Sequence, residues 1–213
     1  MRRIMFVTDY VCPYCLVAKR ALEKALERLE MEAEIVCHPF ELTPEPRPRV
    51  DTYHDVVRKA RYRVLEEPCR ALGLDMKLPP RVVPRPYTRL AFEGRFVAAQ
   101  YGVEKEYNER VYCAYFLEEM DIGDPEVLTE IAVSLGIDGE EYRQALSSGR
   151  FRKEQEELNR IAREEMKIRQ VPTIFLDGKE VSVSSYTEEE FLALLQEDGG
   201  EAGAGFACGP DGC

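Results

Sequence analysis

The chain has 213 residues, of which 45% are hydrophobic and 32% charged, a balance typical of a folded globular protein. The formal net charge of −11 argues against nucleic acid as a partner, because phosphate-binding surfaces need an excess of Lys and Arg. No apolar run approaches the length of a membrane span, and the first residues lack a signal-peptide core and cleavage site. We therefore expect a cytoplasmic protein without a membrane partner.

The charge is unevenly distributed along the chain. Residues 45–95 carry 12 Lys and Arg against 7 Asp and Glu, a local net charge of +5, so the remainder carries −16. The simplest interpretation is a set of solvated helix faces. The alternative is a basic rim that attracts an acidic peptide or an anionic thiol.

The N-terminal part has the pattern of a strand, a helix and a second strand. Residues 3–8 contain a continuous apolar run, which predicts a short buried strand. A helix is predicted to begin at Cys12-Pro13, because proline is favoured in a first turn, where its missing N–H would be unpaired anyway. Residues 33–37 predict the next strand, and this order implies a parallel pair joined by a crossover.

Residues 46–168 have a helical pattern without a clear strand. Prolines mark an extended loop after His38 and a second loop at residues 73–86. The predicted helices cover residues 51–72, 88–100, 105–120, 125–135, 140–146 and 151–168. This stretch is typical of a large all-helical insertion.

The strand pattern returns at residues 171–176, and the following Asp177-Gly178 is a strong hairpin signal. Residues 181–183 predict the answering strand, and a last helix is expected after its N-cap Thr187, with Glu190 at the capping-box position. The predicted fold class is α/β, a thioredoxin fold (βαβ…ββα) with a large all-helical insertion. Its parts are core residues 1–45 and 169–197, the insertion at 46–168, and a glycine-rich tail at 198–213 with a cysteine pair.

The motif that carries the chemistry is Cys12-Pro13-Tyr14-Cys15. It follows a strand and begins a helix, so Cys12 lies at a helix N-terminus, where unpaired N–H groups and the helix dipole stabilise a thiolate. We expect Cys12 to be the attacking thiol. Cys15, one turn further along, is expected to be more buried and to resolve the mixed disulfide. Pro13 and Tyr14 are predicted to support this site.

Two alternatives remain open for this cysteine pair. The spacing is also half of a zinc-binding pattern, but the sequence offers no second such spacing and no suitably placed pair of histidines, so no metal site is expected. An inert structural disulfide is unusual in a reducing compartment. Redox chemistry is therefore the preferred interpretation.

Val171-Pro172 comes just before the third core strand, and in a thioredoxin fold this loop lies beside the helix-start cysteine. A cis proline there would leave a flat backbone edge against which an extended substrate pairs, although cis X-Pro bonds are uncommon. The alternative is an ordinary trans proline at the start of an edge strand.

Together these features resemble the DsbA-like thioredoxin-fold proteins, in the cytoplasmic branch called FrnE-like. The resemblance covers nearly the whole chain and implies a helical insertion, a cis Pro172 and disulfide exchange. Besides the two site motifs, it includes Pro39-Phe40-Glu41-Leu42-Thr43-Pro44, Arg110-Val111-Tyr112, Ala114-Tyr115-Phe116 and Asp121-Ile122-Gly123-Asp124-Pro125.

The chain also departs from this family pattern. The Pro-Tyr dipeptide resembles a glutaredoxin site and not the Pro-His of the oxidising periplasmic enzymes, which favours a reduction potential of about −200 to −230 mV. The family includes glutathione-dependent isomerases and transferases, which typically carry serine where this chain has Cys12. They commonly carry asparagine near the start of an insertion helix, where this chain has Tyr87. Both differences count against an isomerase.

The chain ends with Cys208-Gly209-Pro210-Asp211-Gly212-Cys213, a strong turn sequence that makes a disulfide between its cysteines sterically reasonable. Some FrnE-like proteins resemble this chain in carrying a C-terminal cysteine pair. Cys208 and Cys213 are predicted to form an auxiliary redox pair that relays electrons to or from Cys12 and Cys15. A metal-binding pair and a passive tail are the alternatives.

The predicted function is therefore thiol–disulfide exchange with disulfide-containing or dithiol protein substrates. No cofactor is required, and glutathione is a candidate reductant. One alternative is a glutathione-dependent isomerase or transferase that acts on a small molecule. The other is a redox-sensing or holdase protein.

Overall fold

The computed structural model describes residues 1–196, so Cys208 and Cys213 lie outside the described residues. At its centre is a four-stranded sheet in the order β2-β1-β3-β4. The strands are β1 (Arg2–Thr8), β2 (Ala33–Pro39), β3 (Thr173–Leu176) and β4 (Lys179–Val181). β1 is parallel to β2 and antiparallel to β3, which is in turn antiparallel to β4. The predicted thioredoxin-fold sheet is confirmed.

Helix α1 (Pro13–Arg28) connects β1 to β2 and packs against the last helix, α9 (Glu188–Gln196). The buried face of α1 includes Ala18, Leu22, Ala25 and Leu26, which recur at helical spacing. These side chains belong to the same hydrophobic core as the buried residues of β1. The packing of this face fixes the N-terminus of α1 at the end of β1.

The insertion folds as helices and loops between β2 and β3. Its tyrosine-rich interior includes Tyr107 and Tyr142, whose hydroxyl groups form a hydrogen bond of 2.6 Å. The α-helices are α2 (Val56–Tyr62), α3 (Glu66–Leu72), α4 (Arg89–Gln100), α5 (Glu104–Phe116), α6 (Pro125–Ser134), α7 (Gly139–Ser148) and α8 (Arg152–Arg160). A 3-10 turn (Arg63–Leu65) joins α2 to α3, and a π-helical turn (Ile161–Glu165) follows α8.

Several predicted helix bounds are wrong. The helix predicted at residues 51–72 begins only at Val56, because the Asp55 side chain accepts hydrogen bonds from the N–H groups of Val57 and Arg58 and so acts as an N-cap. The 3-10 turn then divides it in two. The helix predicted at 105–120 ends at Phe116, and the one predicted at 151–168 passes into the π-helical turn and ends at Glu165.

The hairpin after β3 is tighter than predicted. Asp177 and Gly178 both have positive φ, 48° and 85°, which is the two-residue turn that matches the twist of the strands. Leu176 therefore pairs with Lys179, and the answering strand is Lys179–Val181, not residues 181–183.

Only half of the predicted capping box forms at the start of α9. The backbone N–H of Glu190 donates to Thr187 Oγ1 at 3.2 Å, as expected. The Glu190 carboxylate accepts from the backbone N–H groups of Ser184, Ser185 and Tyr186 instead of that of Thr187. The glutamate thus fixes the loop that leads into the helix.

Candidate active site

The turn between β1 and α1 presents the two cysteines. The backbone N–H of Cys12 donates to the carbonyl of Asp9 at 3.0 Å, which reverses the chain after β1. Cys12 is the N-cap residue of α1, with extended backbone angles, and Pro13 occupies the first helical position. The Cys12 sulfur is thus at the positive end of the helix dipole.

The loop before β3 lies against this turn. The Cys12 thiol donates a hydrogen bond to the carbonyl oxygen of Val171, with 3.5 Å between the sulfur and the oxygen. The Val171–Pro172 peptide bond is cis. Val171 is buried and Pro172 is partly exposed. The structure therefore brings together Cys12, Cys15, Val171 and Pro172.

Cys15 is buried behind Cys12, with 0% of its surface exposed. Burial raises the pKa of Cys15 well above its ordinary value, and the neighbouring Cys12 thiol raises it further. Hydrogen bonds from the Thr8 side chain and the Asp9 backbone N–H oppose this rise. Cys15 therefore holds its proton at neutral pH, as suits a thiol that reacts second.

Cys12 is also 0% exposed, whereas the sequence predicted a difference in burial between the two thiols. A cluster of tyrosines lies close to it. The charge of Cys12 helps to raise the pKa values of Tyr14, Tyr62 and Tyr186, although burial is the largest cause for each. The described residues therefore enclose Cys12 as fully as Cys15.

Tyr14 connects the active site to the insertion. Its hydroxyl donates to the carbonyl of Arg61 in α2 at 3.2 Å, and its ring lies 5.6 Å from the ring of Tyr186. The sequence predicted a supporting role for Tyr14 but gave no indication of Tyr62 or Tyr186. No local pattern signals these two residues, because they reach the site through folding of distant segments.

A buried acidic pair lies beside the β1–α1 turn and was also missed. Asp9 Oδ2 accepts a hydrogen bond from the Leu42 N–H at 2.7 Å, and burial raises the pKa of Asp9. Glu41 Oε1 accepts from Gln155 Nε2 in α8 at 3.0 Å. Burial, with a smaller contribution from the charge of Asp9, raises the pKa of Glu41 to about 7.

We expect Glu41→Gln to stabilise the protein at alkaline pH. The folded-state pKa of about 7 exceeds the ordinary 4.5, so the wild type loses stability as the pH rises between these values. Glutamine carries no charge and keeps an oxygen for Gln155. The gain in unfolding free energy should be small near pH 5 and on the order of 2–3 kcal/mol above pH 8.

Urea denaturation at several pH values measures this difference. Glu130→Gln is the matched control, because Glu130 is an exposed carboxylate on α6. As a surface substitution, the control should change stability by no more than about 0.5 kcal/mol. If the difference in unfolding free energy between Glu41→Gln and the wild type does not grow with pH, the raised pKa of Glu41 is contradicted.

The histidines lie outside the cysteine motif. Burial lowers the pKa of His38 on β2, and His54 pairs with Asp51 at 2.9 Å. Among residues 1–196, no group of three or more His, Cys, Asp or Glu side chains is arranged to hold a metal ion. The same part of the chain has no helix with the length and apolar character needed to span a membrane.

A family model described as the DSBA-like thioredoxin domain matches residues 3–196. The chain belongs to this DsbA-like family. The match takes in both halves of the core and the whole helical insertion. A relative, the uncharacterized protein YwbO of Bacillus subtilis (strain 168), is 36% identical over 196 residues, which are 92% of this chain and 96% of YwbO.

Solved structures of DsbA-like proteins have the same fold. A probable DsbA oxidoreductase from Streptomyces coelicolor superposes with a TM-score of 0.74 and 25% identity, covering 100% of this chain and 98% of that protein. The cytosolic disulfide reductase DsbM from Pseudomonas aeruginosa, in a structure with GSH, superposes with a TM-score of 0.65 and 15% identity. That match covers 91% of this chain and 97% of DsbM.

Proposed function

We propose that this DsbA-like protein is a cytoplasmic, FrnE-like oxidoreductase that exchanges disulfides with protein substrates through Cys12 and Cys15. The observation that carries the proposal is the position of the Cys12 thiol. It lies at the N-terminus of α1, 3.5 Å from the Val171 carbonyl and next to the cis Pro172, with Cys15 buried behind it. A nucleophile, a resolving thiol and a substrate-pairing edge are the parts that exchange requires.

In the reducing direction, the Cys12 thiolate attacks one sulfur of a substrate disulfide. A Cys12–substrate bond forms, and the other substrate sulfur leaves as a thiolate. Cys15 then attacks Cys12 Sγ, which releases the second substrate sulfur and leaves a Cys12–Cys15 disulfide. An external dithiol or two molecules of glutathione reduce that disulfide and complete the cycle.

Glutathione is the reductant that we propose for the last step. The end of α2, which contacts Tyr14 through the Arg61 carbonyl, carries the exposed residues Lys59 and Arg61, and the exposed Arg63 begins the 3-10 turn that follows. Positive charge close to the thiols favours the approach of glutathione, which is an anionic tripeptide, or of an acidic substrate segment. DsbM, which has the same fold, was solved in a structure with GSH, and this likeness supports the proposal.

Cys208 and Cys213 complete the proposal as an auxiliary pair that relays electrons to or from Cys12 and Cys15. Their role rests on the sequence alone. A chain that ends at Gln196 retains every described residue and lacks both of these cysteines.

Catalytic reduction of a model protein disulfide tests the function. We expect the wild type to turn over with a small dithiol or with glutathione as reductant. The chain that ends at Gln196 should keep the activity with a small dithiol, which reaches the site without a relay. Failure of the wild type with both reductants would overturn the proposal.

A further inference from the structure

A cavity of about 380 Å³ lies between the sheet and the helices α1, α4 and α5. None of Cys12, Cys15, Val171 and Pro172 lines it, so it is separate from the candidate active site. Ligand pockets in proteins usually measure roughly 300–1,000 Å³, so this volume suits a small molecule.

One wall of the cavity is an apolar surface formed by two strands. Ala33, Ile35 and Cys37 occupy alternate positions along β2, so their side chains lie on one face of the sheet. Phe6 pairs with Cys37 in the neighbouring β1 and lines the same wall. Ala33 and Ile35 also line a wider and more open depression of the surface, which connects the cavity to solvent. This wall suits the apolar body of a ligand.

The opposite wall is one side of α5. Lys105, Asn108 and Tyr112 are three and four positions apart, so they lie on the same side of the helix. Asn108 is only 8% exposed, and its Oδ1 accepts a hydrogen bond from the hydroxyl of Tyr10. Tyr10 does not line the cavity, so this oxygen is turned away from it. The polar atom that Asn108 offers to the cavity is therefore Nδ2.

The Nδ2 atom of Asn108 is a donor without a partner. None of the hydrogen bonds within residues 1–196 uses it, and it is not among the unpaired side-chain atoms that are sealed off from solvent. A side-chain amide nitrogen carries two N–H donors, and leaving donors unpaired in a buried residue is unfavourable. An oxygen atom of a ligand in the cavity would supply the missing acceptor.

Most charged groups around the cavity are already paired with one another. Lys19 Nζ lies 2.7 Å from a carboxylate oxygen of Glu23 and 2.6 Å from one of Glu109. Arg95 likewise pairs with Glu104 at 2.7 Å. These contacts neutralise both acidic residues of the lining, so they do not exclude an anion.

The remaining charged group of the lining is positive. Lys105 is exposed, forms no ion pair within the described part of the chain, and lies one turn before Asn108 on α5. An ammonium group and an unpaired amide donor on adjacent turns favour an anionic oxygen over a neutral one. A carboxylate is the common small anion that also carries an apolar body.

We propose that this cavity binds a small carboxylate with an apolar body, of the size of a medium-chain fatty acid. The carboxylate accepts hydrogen bonds from Asn108 Nδ2 and Lys105 Nζ, and the hydrocarbon chain packs against Phe6 and Ile35. The inference goes beyond the proposed disulfide exchange and does not depend on it, because no cysteine of the motif takes part.

Isothermal titration calorimetry of the full chain with octanoate tests the proposal. A ligand of this size should bind with a Kd on the order of 0.1–1 mM. Octanamide has the same shape without the charge, and acetate has the charge without the chain. Each should bind at least about tenfold more weakly, because one keeps only the apolar contacts and the other only the polar ones.

Two variants locate the carboxylate. Lys105→Gln should weaken octanoate binding by about fivefold and leave octanamide binding unchanged, because it removes only the charge. Asn108→Asp keeps an oxygen for Tyr10 but places a negative charge beside the ligand, so octanoate binding should fall by at least about tenfold. Thermal melting checks that both variants are folded.

Lys153→Gln is the matched control for the loss of one positive charge. Lys153 is an exposed residue of α8 that does not line the cavity, so this variant should bind octanoate as the wild type does. Cys12→Ser should also bind octanoate unchanged, which keeps the test apart from the proposed exchange. Loss of binding in Cys12→Ser would place the ligand at the cysteine motif and overturn the inference.

Nuclear magnetic resonance gives a direct readout, because the chain has two asparagines, Asn108 and Asn159. Asn159 is the internal control, since its Oδ1 accepts from the backbone N–H of Glu41, away from the cavity. Octanoate should shift the side-chain amide signals of Asn108 and leave those of Asn159 in place. Equal affinity for octanoate and octanamide, an unshifted Asn108 signal at saturation, or absence of binding would each overturn the proposal.

Discussion

Cys12→Ser is expected to abolish reduction of protein disulfides, with a loss on the order of 10⁴-fold or more. A serine hydroxyl is not ionised at neutral pH and does not form a stable bond to a disulfide sulfur, so the first covalent step is lost. In the proposed mechanism Cys12 is the thiol that meets substrate, because it lies at the helix N-terminus and beside Val171. Turnover of a model protein disulfide measures the effect.

Cys113→Ser is the control for a general effect of losing a thiol. Cys113 is a partly buried residue of α5, and its thiol donates to Glu109 Oε1 at 3.8 Å. We expect this variant to keep wild-type turnover. Equal activity of Cys12→Ser and the wild type would remove the basis of the proposed mechanism.

The fold could be predicted from sequence because its main signals are local. A continuous apolar run predicts a buried strand, and Cys12-Pro13 predicts the start of a helix. Asp177-Gly178 predicts a tight hairpin, and both residues adopt the positive φ that such a turn needs. Hydrophobic periodicity alone does not locate the N-cap at Asp55, because the cap depends on a side-chain hydrogen bond. It does not locate the π-helical turn either, because that turn contains an inserted residue.

The cysteine motif and Val171-Pro172 were identified from sequence, whereas their surroundings were not. Tyr62 and Tyr186 come from widely separated segments, and their approach to Cys12 depends on packing. The contact between Glu41 and Gln155 also depends on packing, because these residues are 114 positions apart in the sequence. No local pattern in the sequence indicates the full burial of Cys12, because burial depends on the packing of the whole fold.

Burial of both thiols also bears on the order of the reaction. Cys15 has a raised pKa and lies behind Cys12, which supports the proposed order, in which Cys12 bonds to substrate before Cys15 reacts. Tyr14 lies between the two cysteines in the motif, and its hydroxyl contacts α2 through a hydrogen bond of 3.2 Å. The insertion therefore adjoins the cysteine motif through Tyr14.

Cys15→Ser is expected to convert the protein into a trap for its substrates. Cys12 can still attack, but the adjacent resolving thiol is missing, so a mixed disulfide accumulates until a thiol from solution attacks it. Turnover of protein disulfides should fall by on the order of 10³-fold with a protein dithiol as reductant. Non-reducing electrophoresis should show a covalent complex that disappears when a thiol reductant is added.

The same variant separates disulfide exchange from the alternative of a glutathione-dependent isomerase. An isomerase uses the thiol of glutathione itself and has no resolving step, so it would keep its turnover of a small substrate without Cys15. In the two-thiol mechanism Cys15 releases the substrate in every cycle, because its intramolecular attack on Cys12 Sγ is faster than attack by a thiol from solution. Unchanged turnover in Cys15→Ser, without a trapped complex, would therefore exclude the two-thiol mechanism.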